Sequence, residues 1–196
     1  MYLIVPFKSM DSSNLKKPNV DAKTTKYSML IAPGNDFRKI EPLLEKLDVV
    51  VFKKSRGKVK PLISQNGEIL NLGSLILIAY KIPKPSAKKK KIISRVLEKS
   101  FAFRVKKKIY VFPMLKKEVY SKLDGKIVGP SFLVDTVKKM SGSVFMEYNV
   151  VPIYPENYSK ILIDQLRDRI IKRANFISET SRKLTKLILE KPYDER

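Results

Sequence analysis

Short apolar runs separated by turn sequences dominate the first 73 residues. Three of these runs predict strands, at 1–8, 27–32 and 49–52, and the last of them is rich in β-branched residues. Apolar residues at helical spacing follow the turn sequence PGND, which predicts a helix capped by Asp36. Asn66-Gly67 predicts a tight hairpin, because both central positions of a type I′ turn take positive φ. Residues 1–73 therefore predict a small β-α-β unit with a hairpin, and a long polar loop over 9–26.

The middle of the chain carries a strand-helix-strand pattern twice. LILIAYKI at 75–82 is a continuous apolar run and predicts a buried central strand. Ser86 is the expected N-cap of a helix over 87–100, whose apolar residues form one stripe. FAFRV and KIYVFP predict two strands, and SVFMEYNVVPI predicts a third. Before that third strand, a helix over about 130–140 is expected to turn Phe132, Leu133 and Val137 inward.

These elements predict an α+β protein with three segments. Residues 74–153 have the β-α-β-β-α-β order of a ferredoxin-like domain, which the unit at 1–73 precedes. Residues 154–196 predict a long C-terminal helix, whose apolar residues alternate in threes and fours as in a heptad repeat. A helix that lies over the sheet is the favoured interpretation. A coil that associates with a second copy is the alternative, which would make the protein a homodimer.

Positive charge is concentrated in the middle of the chain. The protein carries 41 basic and 19 acidic residues, a formal net charge of +22. Residues 81–118 contain 14 of the basic and two of the acidic residues, a net +12. Such a concentration repels itself unless a polyanion neutralises it, and nucleic acid is the commonest polyanionic partner. A membrane is not the expected partner, because the basic helix lacks a large exposed apolar face with Trp or Phe.

The absent residue types exclude several chemistries. Cysteine and histidine are both missing, which excludes zinc fingers, iron–sulfur clusters, disulfides and His-based acid–base catalysis. No glycine motif that cradles nucleotide phosphates occurs. The sequence therefore predicts a cytoplasmic, non-enzymatic protein without cofactor or metal. A composition rich in Lys and Ile, without Cys, His or Trp, also suits a thermophile.

Four consecutive lysines, Lys88 to Lys91, stand where the helix over 87–100 is expected to begin. Cations are unfavourable there, because a helix N-terminus already carries about half a positive charge. A bound phosphate would reverse this balance, since the lysines and the free N–H groups both attract anions. An ordinary solvated face is the alternative interpretation. The candidate phosphate-binding residues are Lys84, Lys88, Lys89, Lys90, Lys91, Arg95, Lys99, Arg104, Lys106, Lys107, Lys108, Lys116 and Lys117.

Aromatic residues interleave with the second part of this basic set. They are Phe101, Phe103, Tyr110 and Phe112. Alternation of aromatic residues within strands favours packing in the core. Stacking against bases is the alternative, as in proteins that bind single strands or RNA.

LILIAYKIP, the basic helix and FRVKKKIYVFP together resemble the small ferredoxin-like proteins of CRISPR adaptation. The same module is similar to parts of chromate-resistance regulators and of phenylacetate-type repressors. The resemblance covers 74–153 and implies association with nucleic acid in a dimeric module. In the CRISPR proteins, an Asp after the tyrosine is the metal-binding residue implied for nuclease activity. Lys81 stands at that position here, and a protonated lysine repels Mg²⁺.

The first function predicted is therefore binding of duplex DNA through its phosphates, in a regulatory or architectural role. RNA binding or association with the ribosome is the second interpretation, because ribosomal partners are commonly this basic and a polar loop can order on RNA. A metal-dependent nuclease with a relocated acidic site, involving Asp124 or Asp135, is the third.

Overall fold

Ten strands and four helices lie within the residues that the computed structural model describes, which are 1–7, 22–34, 37–44, 48–115 and 127–190. The strands are β1 (Tyr2–Pro6), β2 (Lys23–Thr24), β3 (Leu30–Ala32), β4 (Val49–Lys54), β5 (Leu62–Ile63), β6 (Ile69–Asn71), β7 (Leu75–Lys81), β8 (Phe103–Lys106), β9 (Ile109–Pro113) and β10 (Ser143–Tyr154). The helices are α1 (Phe37–Leu44), α2 (Ala87–Glu98), α3 (Pro130–Lys139) and α4 (Tyr158–Glu190). The α+β class predicted from the sequence is confirmed.

Eight strands form one antiparallel sheet in the order β2-β3-β1-β4-β10-β7-β9-β8. The sheet is continuous across the boundary predicted at residue 73, because β4 pairs with β10. The separation of 1–73 from 74–153 as domains stays a prediction. Strands β5 and β6 pair apart from this sheet and form the expected hairpin. The predicted type I′ turn is wrong, because Gly67 has a positive φ of +79° but Asn66 does not. The Gly67 N–H instead donates to the Ser64 carbonyl oxygen at 3.0 Å, so the turn begins two residues before Asn66.

The long strand β10 joins the two halves of the sheet. Its first part pairs with β7, where Ser143 lies opposite Lys81, and its last part pairs with β4. The register shifts between Glu147 and Val150, and Asn149 has a φ of +57°. Such a bulge bends a strand and increases its twist. Strands β7 and β4 pair with opposite edges of β10, and Val150, next to the bulge, pairs with both.

Alternating side chains bury both faces of the sheet, as strand geometry requires. On one face, Leu75, Leu77 and Ala79 of β7 belong to a core cluster that includes Tyr158 and Leu162 of α4. On the opposite face, Ile76 and Ile78 belong to a cluster with residues of α2 and α3. Full burial of an aliphatic side chain stabilises a fold by about 1.5–3 kcal/mol. Strand β7, buried on both faces, is therefore a rigid support for what lies at its ends.

Helices α2 and α3 pack side by side against the second face. The Ser86 hydroxyl accepts a hydrogen bond from the Lys89 N–H at 3.3 Å, so the predicted cap is confirmed. Leu133 and Val137, one turn apart on α3, are fully buried as expected. Phe132 is 52% exposed, so its predicted inward orientation is wrong. It lies about 100° around the helix from Leu133, away from the stripe that contacts the sheet.

The last helix, α4, covers the sheet with its first turns. Tyr158 and Leu162 are buried there, whereas Ile170, Phe176 and Ile177 are exposed, Phe176 by 70%. The expectation of a helix lying over the sheet therefore holds for its beginning. None of the described helices is long and apolar enough to cross a membrane.

The polar loop expected over 9–26 differs from the structure at its end. Lys23–Thr24 form strand β2, which pairs with β3 through Ile31 and Leu30. Residues 8–21, and the predicted helix cap at Asp36, lie outside the described residues.

Gly142, between α3 and β10, generates a prediction about packing. A Cβ atom there would lie 2.6 Å from Val137 Cγ1 and 3.0 Å from the Lys81 carbonyl oxygen, whereas one at Gly57 would have no neighbour within 4 Å. We expect Gly142→Ala to lower the free energy of unfolding by about 1–3 kcal/mol, because overpacking displaces backbone. Gly57→Ala is the control and should change it by less than about 0.5 kcal/mol. Equal effects in urea unfolding would contradict the packing described.

Candidate nucleic-acid interface

Three lysines from two parts of the fold line one cleft beside the end of β7. Lys90 lies in the first turn of α2, whereas Lys107 and Lys108 form the tight turn between β8 and β9. The Tyr80 N–H donates to the Lys108 carbonyl oxygen at 3.0 Å, which fixes this turn against β7. This opening, bounded by α2 and the turn, is the α2 cleft. None of the described residues that line it is acidic.

A second opening, the turn cleft, lies beside the same turn. Lys26, Lys81 and Lys106 line it together with Lys107 and Lys108, and no acidic residue of the described part of the chain lines it. Lys26 lies in the turn between β2 and β3, and Lys81 ends β7. The two clefts share Tyr80, Lys107 and Lys108. Lysines from four parts of the chain therefore meet at one end of the sheet. These lysines of the two clefts form the lysine cluster, which consists of Lys26, Lys81, Lys90, Lys106, Lys107 and Lys108.

One lysine that lines the clefts, and another near the start of α2, occupy strained backbone positions. Lys84 has a φ of +41° and Lys108 has a φ of +69°, in the left-handed region. Glycine and asparagine adopt this region more readily than lysine does, because a longer side chain on Cβ crowds the backbone. Such a residue costs on the order of 1 kcal/mol or more. The local backbone therefore gives no reason for lysine at either position.

Two predicted binding lysines make contacts within the fold. Lys89 Nζ donates to the Met140 carbonyl oxygen at 3.3 Å, at the end of α3, where a cation interacts favourably with the helix dipole. Lys106 Nζ donates to the Pro6 carbonyl oxygen at 2.5 Å and so ties β8 to the end of β1. Both residues stay close to the cluster. Part of their hydrogen-bonding capacity is used internally.

The other predicted phosphate-binding residues lie at the start of α2, on β8 and toward the end of α2. Lys84, Lys88 and Lys91 are exposed around the start of α2, near the α2 cleft. Arg104 lies opposite Tyr110 across β8 and β9, so its side chain shares the face on which α2 lies. Arg95 and Lys99 lie toward the other end of α2, where Lys99 is the C-cap about 15–18 Å from the first turn.

The structure does not bring Lys99 into the cluster. Lys116 and Lys117 lie outside the described residues, so their assignment stays a prediction.

Core packing is confirmed for the aromatic residues Phe103 and Phe112, which are fully buried. Phe101 and Tyr110 are half-buried. The ring of Tyr110 stacks on that of Tyr80, with centroids 6.2 Å apart and planes at 10°. Burial raises the pKa of both hydroxyls, and for Tyr80 the neighbouring Tyr110 raises the pKa further, while Arg104 opposes the rise.

Lys26, Lys81 and Tyr80 line the two clefts but were not predicted from the sequence as binding residues. Tyr110 was predicted to pack in the core, with stacking on bases as the alternative, and its stacking on Tyr80 was not predicted. Lys81 had a usable signal, because it directly follows a buried strand and therefore emerges at the sheet's end. Tyr80 and Tyr110 become diagonal neighbours only through the pairing of β7 with β9, in which Tyr110 lies opposite Ile78. Lys26 depends on a still longer-range contact, which no local pattern indicates.

The described residues include no cluster of acidic side chains that could bind a metal ion together. No three acidic side chains lie close enough together there to hold a metal ion. Asp164 contacts Arg167 at 3.6 Å on α4, and Asp135 is exposed on α3. Asp124 lies outside the described residues, so a relocated nuclease site stays a prediction.

Comparison of the chain with protein-family models, with curated proteins and with solved structures found no match. The resemblance of 74–153 to ferredoxin-like proteins of CRISPR adaptation and to regulators therefore stays a prediction.

The raised tyrosine pKa values predict how stability depends on alkaline pH. In the unfolded chain, Tyr80 ionises near its usual pKa of about 10, whereas the folded protein retains this proton to higher pH. The folded state then binds more protons, so the free energy of unfolding falls as pH rises above about 10. We expect Tyr80→Phe to lose less stability than the wild type between pH 10 and 12, in urea unfolding at each pH. The two proteins should have the same pH dependence near neutrality, and identical curves throughout would contradict the assignment.

Proposed function

We propose that this protein binds nucleic acid, duplex DNA in the first place, through phosphate contacts made by lysines of the α2 and turn clefts. Its role is regulatory or architectural, without catalysis. The observation that carries the proposal is the convergence of Lys90, Lys107 and Lys108 on one cleft, whose described lining residues include no acidic one. Two independent elements contribute these lysines, so their proximity is a property of the tertiary structure.

Local structure disfavours lysine at several of these positions. Cations near the start of α2 oppose the helix dipole, and Lys108 carries a strained φ of +69°. Neighbouring ammonium groups also repel one another. A phosphate backbone would offset all of this, because it neutralises the lysines and releases condensed counterions. The arrangement therefore supports a polyanionic ligand better than an ordinary solvated surface.

The strand arrangement supports the ferredoxin-like interpretation of 74–153. Within this segment the sheet order is β10-β7-β9-β8, so β9 lies between β7 and β8 as in a split β-α-β arrangement. Helices α2 and α3 lie on one face. We infer a ferredoxin-like unit extended by the N-terminal strands along β10. A likeness to nucleic-acid-associated modules of this kind agrees with the proposed ligand.

The proposal predicts that removing the charge of Lys90, Lys107 and Lys108 weakens DNA binding. The triple variant, with glutamine at each position, should bind a labelled duplex at least about tenfold more weakly at low salt, because charge-assisted contacts to phosphate are lost. Fluorescence anisotropy measures the affinity. Circular dichroism and thermal unfolding should show an unchanged fold, because these three side chains make none of the internal hydrogen bonds found for Lys89 and Lys106.

A matched control removes the same charge from the other end of β7. Arg56, Lys58 and Lys60 are exposed in the loop that Ser74 holds through its hydroxyl and the Val59 N–H, at 2.7 Å. Strand β7 places this loop about 20 Å from the cluster. Glutamine at these three positions should leave the affinity within about threefold, well short of the loss expected in the cluster. Equal losses in both variants would show that net charge, not the cluster, governs binding. Competition with structured RNA decides whether DNA or RNA is the preferred ligand.

A further inference from the structure

The α2 cleft has apolar walls beneath its lysines. Ile82 and Pro85 line it from the segment after β7, Ile93 and Leu97 line it from α2, and Tyr110 lines it from β9. Its volume is about 210 Å³. Contact with phosphate requires only cationic or hydrogen-bonding groups. The apolar walls are therefore unexplained by phosphate binding alone.

The cleft exists because α2 leaves the margin of the sheet uncovered. Lys90, Ile93, Ser94 and Leu97 have the spacing i, i+3, i+4 and i+7, which places them on one side of the helix. That side faces Tyr110 on β9, next to the short edge strand β8. Ser94 is exposed and small, so it leaves the mouth of the cleft open.

The chemistry of the cleft has two parts that match the two parts of a nucleotide. A base has flat, weakly polar faces that pack well against aromatic and aliphatic side chains. A phosphate binds ammonium groups, and Lys90, Lys107 and Lys108 line the same opening. The volume is below the roughly 300–1,000 Å³ of typical ligand cavities. It suits one base better than two stacked bases.

We propose that the α2 cleft binds the base of one unpaired nucleotide, at an end or gap of a strand whose phosphates contact Lys90, Lys107 and Lys108. This inference rests on the proposed binding of nucleic acid and names the part of the ligand that the cleft selects. A paired base inside a duplex is stacked on both faces and does not reach the cleft. The protein therefore prefers duplexes that carry a short single-stranded end over blunt duplexes.

Three DNA probes with one common duplex test the preference. The first has blunt ends, the second carries a short overhang with bases, and the third carries an overhang of the same length with abasic sites. The two overhangs have equal numbers of phosphates, so a difference between them reports contact with bases. We expect the overhang with bases to bind about tenfold more tightly than the abasic one, since stacking of one base on an aromatic ring changes the affinity by roughly five- to hundredfold.

A charge-neutral variant locates the contact. Ser94→Leu places a larger side chain at the mouth of the cleft and keeps every lysine. Ser94→Ala is the matched control, because both variants lose the hydrogen bond from Ser94 Oγ to Glu98 Oε1, of 3.0 Å, but only leucine adds volume. We expect Ser94→Leu to reduce the tenfold preference to about twofold or less and Ser94→Ala to retain it. Both should bind the blunt duplex as the wild type does.

The outcomes separate this inference from the proposed function. Tight binding of the blunt duplex with equal affinity for the two overhangs would overturn the base site and leave phosphate binding standing. A preference that survives in Ser94→Leu, with its unfolding temperature unchanged, would place the base elsewhere and also overturn the inference. Failure of the wild type to bind any of the three probes would overturn both.

Discussion

Electrostatic repulsion among lysines held at one end of a sheet is the interaction on which the account of this protein depends. The cluster does not result from flexible surface side chains meeting by chance. The hydrogen bond from the Tyr80 N–H to the Lys108 carbonyl oxygen fixes the turn between β8 and β9 against β7. The contact of Lys89 with Met140 fixes the start of α2 against the end of α3. The cationic residues are therefore brought together by the fold, and we propose that a polyanionic partner relieves their repulsion.

The core explains how the fold tolerates this arrangement. Strand β7 is buried on both faces, by α2 and α3 on one side and by α4 on the other. A site on rigid elements keeps its geometry better than a site on loops. Helix α2 contributes to both the core and the cleft, since Val96 is buried in the core while Ser94 and Leu97 line the α2 cleft. Core and site thus share one helix, and the cleft lies where the helix stops covering the sheet.

Local patterns predicted much of the fold and less of the site. The Ser86 cap and the hairpin at Gly67 depend on neighbouring residues, and each was predicted from a few positions, although the type of the turn was wrong. The predicted inward orientation of Phe132 was wrong, because apolar character alone does not show which side of α3 contacts the sheet. The bulge at Asn149 has no comparable local signal. The basic residues of α2 and the turn were visible as charge runs, whereas their sharing of one cleft depends on long-range pairing of strands. Lys26 was not predicted, because its position beside the turn cleft also depends on long-range contacts.

The dependence of DNA affinity on salt concentration tests the central claim most directly. Each phosphate that a lysine neutralises releases condensed counterions, so a cluster of this kind should give a steep linear fall of log affinity against log salt. With about six phosphate contacts, the affinity of the wild-type protein for a blunt duplex should fall roughly thousandfold between about 50 and 200 mM salt. An affinity that stays constant over this range would show that the lysine cluster does not bind phosphates and would contradict the account.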